Sequence, residues 1–197
     1  MSLQIKKEEG VVYDPVFLKI LEDIPGGVTI KTNRFPTTTK EIKKGALLNA
    51  MTGASIGLYN IIKTVRLTAA GVTNTTILVI EPTDHLFKVG EYIFLQGVSA
   101  GTITRVSTTA IAVKIAHKAI ASGAVLYETP TGGTATALYG ASAILRDTIE
   151  VRKAGVETLL DNIFAGAIVR GTVDESELPY FVTDQQKTDL TARIRFA

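Results

Sequence analysis

Five short runs of β-branched and aromatic residues in the middle of the chain restrict its fold more than any other feature. They lie between glycine, proline and serine turns, at residues 75–80, 89–95, 102–106, 110–115 and 125–127. The third and fourth runs alternate in character from one side of the chain to the other, which is the period of a strand with one buried face. Short strands at this close spacing favour a small β-barrel or sandwich.

Two joints rich in threonine and glycine, Thr68–Gly71 and Thr129–Thr134, bracket these strands. Glycine-rich joints mark places where the chain turns between structural units. We therefore predict a small β-module inserted at residues 64–131 into a mainly β host domain with short helices. The host domain is formed by residues 35–63 and 132–197.

Residues 1–34 are predicted to form an N-terminal arm. Their apolar residues come in one short run without a sustained period, and Pro25–Gly27 breaks the chain after it. Two interpretations of the apolar side chains stay open: they pack back onto their own domain, as termini often do, or they dock on a neighbouring protein. The second makes five residues candidate contacts: Tyr13, Val16, Phe17, Ile20 and Leu21.

Charge and cysteine content exclude several classes of function. The formal net charge is +2, from 21 basic and 19 acidic residues, and the two signs are mixed along the chain. A protein that follows a phosphate backbone concentrates its lysines and arginines, so no nucleic-acid partner is predicted. The chain has no cysteine, which excludes disulfides, thiolate metal sites and cysteine nucleophiles.

The sequence also predicts a soluble protein made in the cytoplasm. Residues 1–10 are polar and lack the apolar stretch of a secretory signal. The apolar runs elsewhere fall short of the ~18 residues that a membrane helix requires.

No motif for catalysis, for a cofactor or for a metal is present. His85 and His117 lack metal-ligand spacing, and the chain has neither a phosphate-binding glycine loop nor a serine nucleophile elbow. The acidic run Asp174–Glu177 lacks the residue pattern of a calcium loop and is interpreted as a solvated turn. We therefore predict no catalytic, cofactor-binding or metal-binding residues, and a protein that is not an enzyme.

The C-terminal third carries a resemblance to a known family. Its segments are Tyr139–Asp147, Ile163–Val173, the acidic turn Asp174–Pro179, Thr183–Leu190 and Ile194–Phe196. Thr183 and Gln186 form a capping-box pattern, which predicts a helix that runs to about Leu190. In order and spacing, over about 60 residues, these segments resemble the bacteriophage lambda head decoration protein family. Lys44–Leu48 is similar to the family's entry strand, whereas residues 64–129 have no counterpart in it.

The resemblance implies a virion protein on the outer surface of the expanded capsid, without cofactors. It implies a homotrimer that binds the major capsid protein at three-fold and quasi-three-fold positions and stabilises the shell. It also implies an N-terminal arm that is loose in the free protein and ordered on the capsid.

A second interpretation is a head fibre or tail-associated adhesion module, in which the insert binds a host glycan or receptor. Sugar-binding surfaces commonly use exposed aromatic rings. In the predicted strands of the insert the aromatic residues are Tyr92, Phe94 and Tyr127. Phe87 lies just before the second of these strands. These residues fit a hydrophobic core as well as they fit a sugar platform.

Overall fold

The computed structural model describes residues 14–52, 56–71, 76–81, 85–95, 98–114, 119–129, 140–152 and 160–197. These residues form a mainly β structure, as the sequence predicts. The strands are β1 Phe17–Asp23, β2 Val28–Lys31, β3 Glu41–Ile42, β4 Leu47–Ala50, β5 Leu58–Ile61, β6 Thr64–Arg66, β7 Ile77–Val79, β8 Tyr92–Leu95, β9 Val98–Val106, β10 Ala110–Val113, β11 Val125–Thr129, β12 Ala143–Leu145, β13 Ile149–Glu150, β14 Asn162–Ala165, β15 Ala167–Val173 and β16 Ile194–Phe196. The helix α1 spans Asp184–Leu190, and a 3₁₀ helix spans Glu175–Glu177.

The host domain is built on an eight-stranded sheet that curls back on itself, beside a separate two-stranded sheet of β3 and β13. Its strand order is β1-β15-β12-β4-β5-β2-β14, and β16 pairs with β15 in parallel. Since only Gly166 separates β14 from β15, the last strand of this path continues directly into its second strand. The curled sheet encloses a first core cluster, whose largest fully buried members are Phe35, Ile30, Ile42, Leu48 and Ile61.

Glycines form the corner at which the sheet curls. β1 and β2 pair antiparallel with β15 and β14 respectively, so two paired segments turn this corner together. Gly27 has a φ of +73°, and a Cβ there would lie 2.6 Å from the carbonyl oxygen of Ala165. A Cβ on Gly166 would lie 2.9 Å from Nε of Arg146. Neither position accepts a side chain without displacing its neighbour.

A second core cluster lies on the outer face of the same sheet. Val16, Phe17, Ile144, Ile168 and Leu190 are among its buried members. Helix α1 packs on this face through Leu190, and β16, a strand of the sheet itself, adds the buried Ile194.

The capping box that the sequence predicts for α1 is confirmed. The Thr183 side chain accepts a hydrogen bond from the Gln186 backbone, and the Gln186 side chain accepts one from the Thr183 backbone. Gln186 is fully buried. Its side chain is thereby fixed at the start of the helix, and this orients α1 over the sheet.

The insert is a second curled sheet with a core of its own. Its strand order is β6-β11-β8-β9-β10-β7, and its two edge strands meet where Leu67 bridges Ile80. A hydrogen bond of 3.1 Å from Thr68 N to Val79 O also joins these edges. The barrel-like sheet encloses Leu67, Leu78, Ile80, Phe87, Ile93, Ile103, Ile111 and Leu126, among others.

All five strands predicted in this region are confirmed, although their bounds differ by a few residues. The structure adds a sixth, Thr64–Arg66, which is too short to give a period of its own. The strands of the insert therefore extend from Thr64 to Thr129, inside the predicted bounds 64–131.

The described part of the predicted arm, residues 14–34, lies in the host sheet and does not form a separate arm. Val28 and Ile30 of β2 point into the first core cluster, whereas Thr29 and Lys31 are half-buried. A four-residue strand offers only two inward positions, which is too few for its period to be recognised in the sequence. Residues 1–13 lie outside the described residues.

Two adjacent side chains, Leu86 and Phe87, lie where host and insert meet and pack in different cores. Leu86 belongs to the insert in sequence but packs in the first core cluster of the host, where it is 2% exposed. The next residue, Phe87, is fully buried in the core of the insert. The insert is thus joined to the host by an apolar contact as well as by the chain itself.

We expect Leu86→Ala to lower the free energy of unfolding by about 2–5 kcal/mol, because it leaves a cavity in the host core. Val89→Ala is the matched control: Val89 is 57% exposed in the same segment, and its truncation should cost under about 0.5 kcal/mol. Chemical denaturation of the two variants measures the difference. Equal small losses would show that Leu86 does not join the two units.

Candidate interaction surface

The edge strand β1 is the most unusual surface of the host domain. After the buried Phe17, every residue from Leu18 to Asp23 is exposed. Three of them are large and apolar: Leu18 is 45%, Ile20 47% and Leu21 58% exposed. A strand of a monomeric domain normally buries one face. Apolar side chains on both faces of an edge strand mark a candidate contact surface.

The structure separates the five residues predicted from the sequence as contacts. Ile20 and Leu21 lie on the exposed part of β1. Val16 and Phe17 are instead buried in the second core cluster, at 4% and 6% exposure. Tyr13 lies outside the described residues. The start of the apolar run therefore packs on its own domain, as the first interpretation predicts. Its end is exposed, and docking on a neighbouring protein stays a prediction for Ile20 and Leu21.

Sequence reasoning missed Leu18, which is as exposed as Ile20. Leu18 is the first residue of β1 outside the second core cluster, and composition alone does not show where β1 leaves that cluster. We define the β1 surface as Leu18, Ile20 and Leu21.

The edge of β1 is irregular. Its register with β15 shifts between Phe17 and Lys19, between Ile20 and Glu22, and again between Glu22 and Asp23. Such bulges, together with charged residues, interrupt the regular row of backbone groups that a further strand would need for pairing. The apolar side chains of β1, more than its backbone, are therefore its contact groups.

Ion pairs hold both ends of β1. Before the strand, Asp14 Oδ1 lies 2.9 Å from Lys44 Nζ and accepts hydrogen bonds from the backbone N–H of Val16 and Phe17. At the other end, Asp23 Oδ2 lies 3.0 Å from Nη1 of Arg146. All four charged side chains are partly exposed, so each pair contributes little energy. Their role is to fix the ends of an otherwise weakly packed strand.

The Asp14 carboxyl is the better anchored of the two acidic groups. Burial acts to raise its pKa, but the hydrogen bonds from Lys44 and from two backbone N–H groups outweigh this effect and lower the pKa below its ordinary value. A carboxyl with a lowered pKa in the folded state stabilises that state at neutral pH. This contribution is lost as the pH falls through the lowered pKa.

A glycine of β15 allows β1 to lie close to it. Ile20 pairs with Gly171, and a Cβ on Gly171 would collide with the backbone carbonyl oxygen of Lys19. Since the colliding atom belongs to the backbone, no side-chain rotation relieves it.

Other exposed apolar side chains lie on both units. On the host, Phe164 of the edge strand β14 is 69% exposed, and Leu160 just before it is 38% exposed. On the insert, Ile77 and Val79 of β7 are 59% and 44% exposed. Each of these places has two exposed apolar side chains, whereas the β1 surface has three within four consecutive residues.

The aromatic residues of the insert divide between core and surface. Phe87 is fully buried and Phe94 is 8% exposed, with its ring 5.5 Å from that of Tyr127. Tyr92 is 41% exposed. Burial raises the pKa of the half-buried Tyr127. Phe87 and Phe94, two of the four aromatic rings that could stack on a sugar, are therefore buried.

The ionisable groups of the described residues form no cluster of histidines and carboxylates that would hold a metal ion. His85 is 9% exposed, and its Nε2 lies 2.9 Å from the carbonyl oxygen of Ser107. His117 lies outside the described residues. A groove of about 630 Å³ lies where the insert meets the host, with Arg66, Glu81, Glu175 and Phe181 in its wall.

Comparisons with models of protein families, with curated proteins and with solved structures give no match. The described residues contain no helix of the length and apolar character needed to cross a membrane.

We expect Gly171→Ala to displace β1 from β15, because of the collision with Lys19. Hydrogen exchange of the β1 amides should become faster while that of β4 and β12 stays unchanged. Gly140→Ala is the control, since a Cβ there meets only the Asp189 carboxylate, at 3.3 Å. Unchanged exchange in β1 would contradict the close packing of the two strands.

Proposed function

We propose that this protein is a structural, non-enzymatic component of a tailed-phage particle, which binds the outer surface of the expanded capsid as a trimer and stabilises it. The observation that carries the proposal is the β1 surface. It offers exposed apolar side chains on the edge of a sheet, and the resemblance to the lambda head decoration protein family leads us to expect a contact with the shell there.

The arrangement of the host segments supports the proposal. The segments that carry the resemblance include β12, β14, β15, α1 and β16, and the Lys44–Leu48 segment includes the start of β4. The strands among them lie in one eight-stranded sheet, with α1 packed beside it. The insert lies outside this sheet, in agreement with its lack of a counterpart in the family.

The energetics of such a protein require a preference for one state of the shell. A ligand that binds only the expanded form stabilises it by RT ln(1 + [L]/Kd), which is ~2.7 kcal/mol per site at a hundredfold excess over Kd. Many identical sites multiply this gain over the shell. The side chains of the β1 surface supply apolar area of the kind that such binding buries.

Leu21→Asp tests the β1 surface. We expect it to weaken binding to expanded heads at least about tenfold, because a carboxylate must be desolvated in the contact. The matched control is Ile77→Asp, at an equally exposed position on the insert. Cosedimentation of each variant with expanded and with immature heads measures the binding.

Equal binding of Leu21→Asp and the unsubstituted protein would reject the β1 surface as the contact. Multi-angle light scattering of the free protein tests the trimer independently. A Leu21→Asp variant that remains trimeric but does not bind would place the β1 surface at the shell. One that becomes monomeric would place it between subunits.

A further inference from the structure

A buried lysine lies at the point where the chain passes from the host into the insert. The side chain of Lys63 is 1% exposed, and the residue lies between β5 and β6. Its ammonium donates a hydrogen bond of 2.7 Å to the backbone carbonyl of Arg34, in the host. It also forms an ion pair with the Glu91 carboxylate, in the insert. One buried cation is thus bound from both units.

The second oxygen of that carboxylate is also engaged. Glu91 Oε2 accepts a hydrogen bond of 2.8 Å from the backbone N–H of Lys88. Residues 88–91 directly follow Leu86 and Phe87, the two side chains that pack in the two cores. Glu91 is therefore fixed to the segment that carries these two side chains, and Lys63 binds that segment through it.

Further polar contacts cross the same junction. Arg34 of the host forms an ion pair with Glu128 of β11, whose side chain is 4% exposed. Thr64 Oγ1 donates a hydrogen bond of 2.5 Å to the backbone carbonyl of Phe181. The Arg66 guanidinium lies 3.3 Å from the centre of the Phe181 ring. The junction therefore combines the apolar contact of Leu86 with two buried charged groups, Lys63 and Glu128, whose desolvation is costly.

We propose that this junction is a proton-linked latch: separation of the insert from the host requires Lys63 to enter water, and it takes up a proton when Lys63 does so. This inference concerns the two units of this chain and is independent of the proposed capsid binding.

The sign of the linkage follows from the groups that face Lys63. Burial lowers its pKa from 10.5 to about 8; Glu91 acts to raise the pKa, and Arg34 and Lys88 act to lower it. In an opened junction the pKa returns toward 10.5, so the open state binds more protons between these values. The free energy of opening therefore increases as the pH rises, and it is lowest below pH 8.

Native-state proteolysis with thermolysin measures the opening, because this protease cleaves before large apolar residues and Leu86 is buried in the host core only while the junction is closed. The cleavage rate before Leu86 is divided by that of an unstructured peptide at the same pH. We expect the normalised rate to fall about tenfold from pH 7 to pH 9, as linkage gives for this change in pKa.

Two variants and one direct measurement test whether Lys63 is the titrating group. Lys63→Met keeps the length of the side chain but cannot titrate, so its normalised rate should not depend on pH. Glu91→Gln removes the group that raises the pKa of Lys63, so the fall in the normalised cleavage rate should occur at lower pH. In the unsubstituted protein, the side-chain amine resonance of Lys63 should titrate near pH 8.

The same pH dependence in Lys63→Met would overturn the proposal, as would a Lys63 resonance that titrates near pH 10.5. Should Lys63→Met fail to fold, the titration and the Glu91→Gln shift decide the matter without it.

Discussion

The pairing of two segments that lie far apart in the sequence is the constraint on which the host domain depends. β1 and β2 run antiparallel to β15 and β14, and both segments turn the same corner at Gly27 and Gly166. This corner returns the sheet to its own second strand and so encloses the first core cluster. It also leaves β1 on the outside, held to β15 along one side, with its apolar side chains in water.

The insert is attached by a different principle. Its own core is complete without the host, since its buried residues all lie between Val65 and Leu126. Its connection combines the apolar side chain of Leu86 with a set of charged groups around Lys63. A buried apolar side chain is insensitive to pH, whereas a buried ammonium is not. The contribution of Leu86 to the attachment is therefore independent of pH, whereas the contribution of Lys63 changes with pH.

The sequence predicted the elements whose signal is local. The β-branched runs of the insert and the Thr183–Gln186 capping box each lie within one short window, and both are confirmed. The position of residues 14–34 was not predictable in this way. β1 pairs with β15, about 145 to 156 residues further along the chain, and β2 lies between β5 and β14, the second of which is more than 130 residues away. For the same reason the sequence identified Ile20 and Leu21 as candidate contacts, included the buried Val16 and Phe17, and missed Leu18.

The separation of the paired strands along the chain also sets an order of events during synthesis. The insert needs contacts only within residues 64–129, and contacts at short separation form fast. β1, by contrast, finds its partner β15 only once residues 168–173 have left the ribosome. Until then β1 is unpaired, and its leucines and isoleucine are accessible to chaperones and to other nascent chains. Conditions that slow translation between residues 23 and 168 should therefore increase aggregation more than conditions that slow it elsewhere.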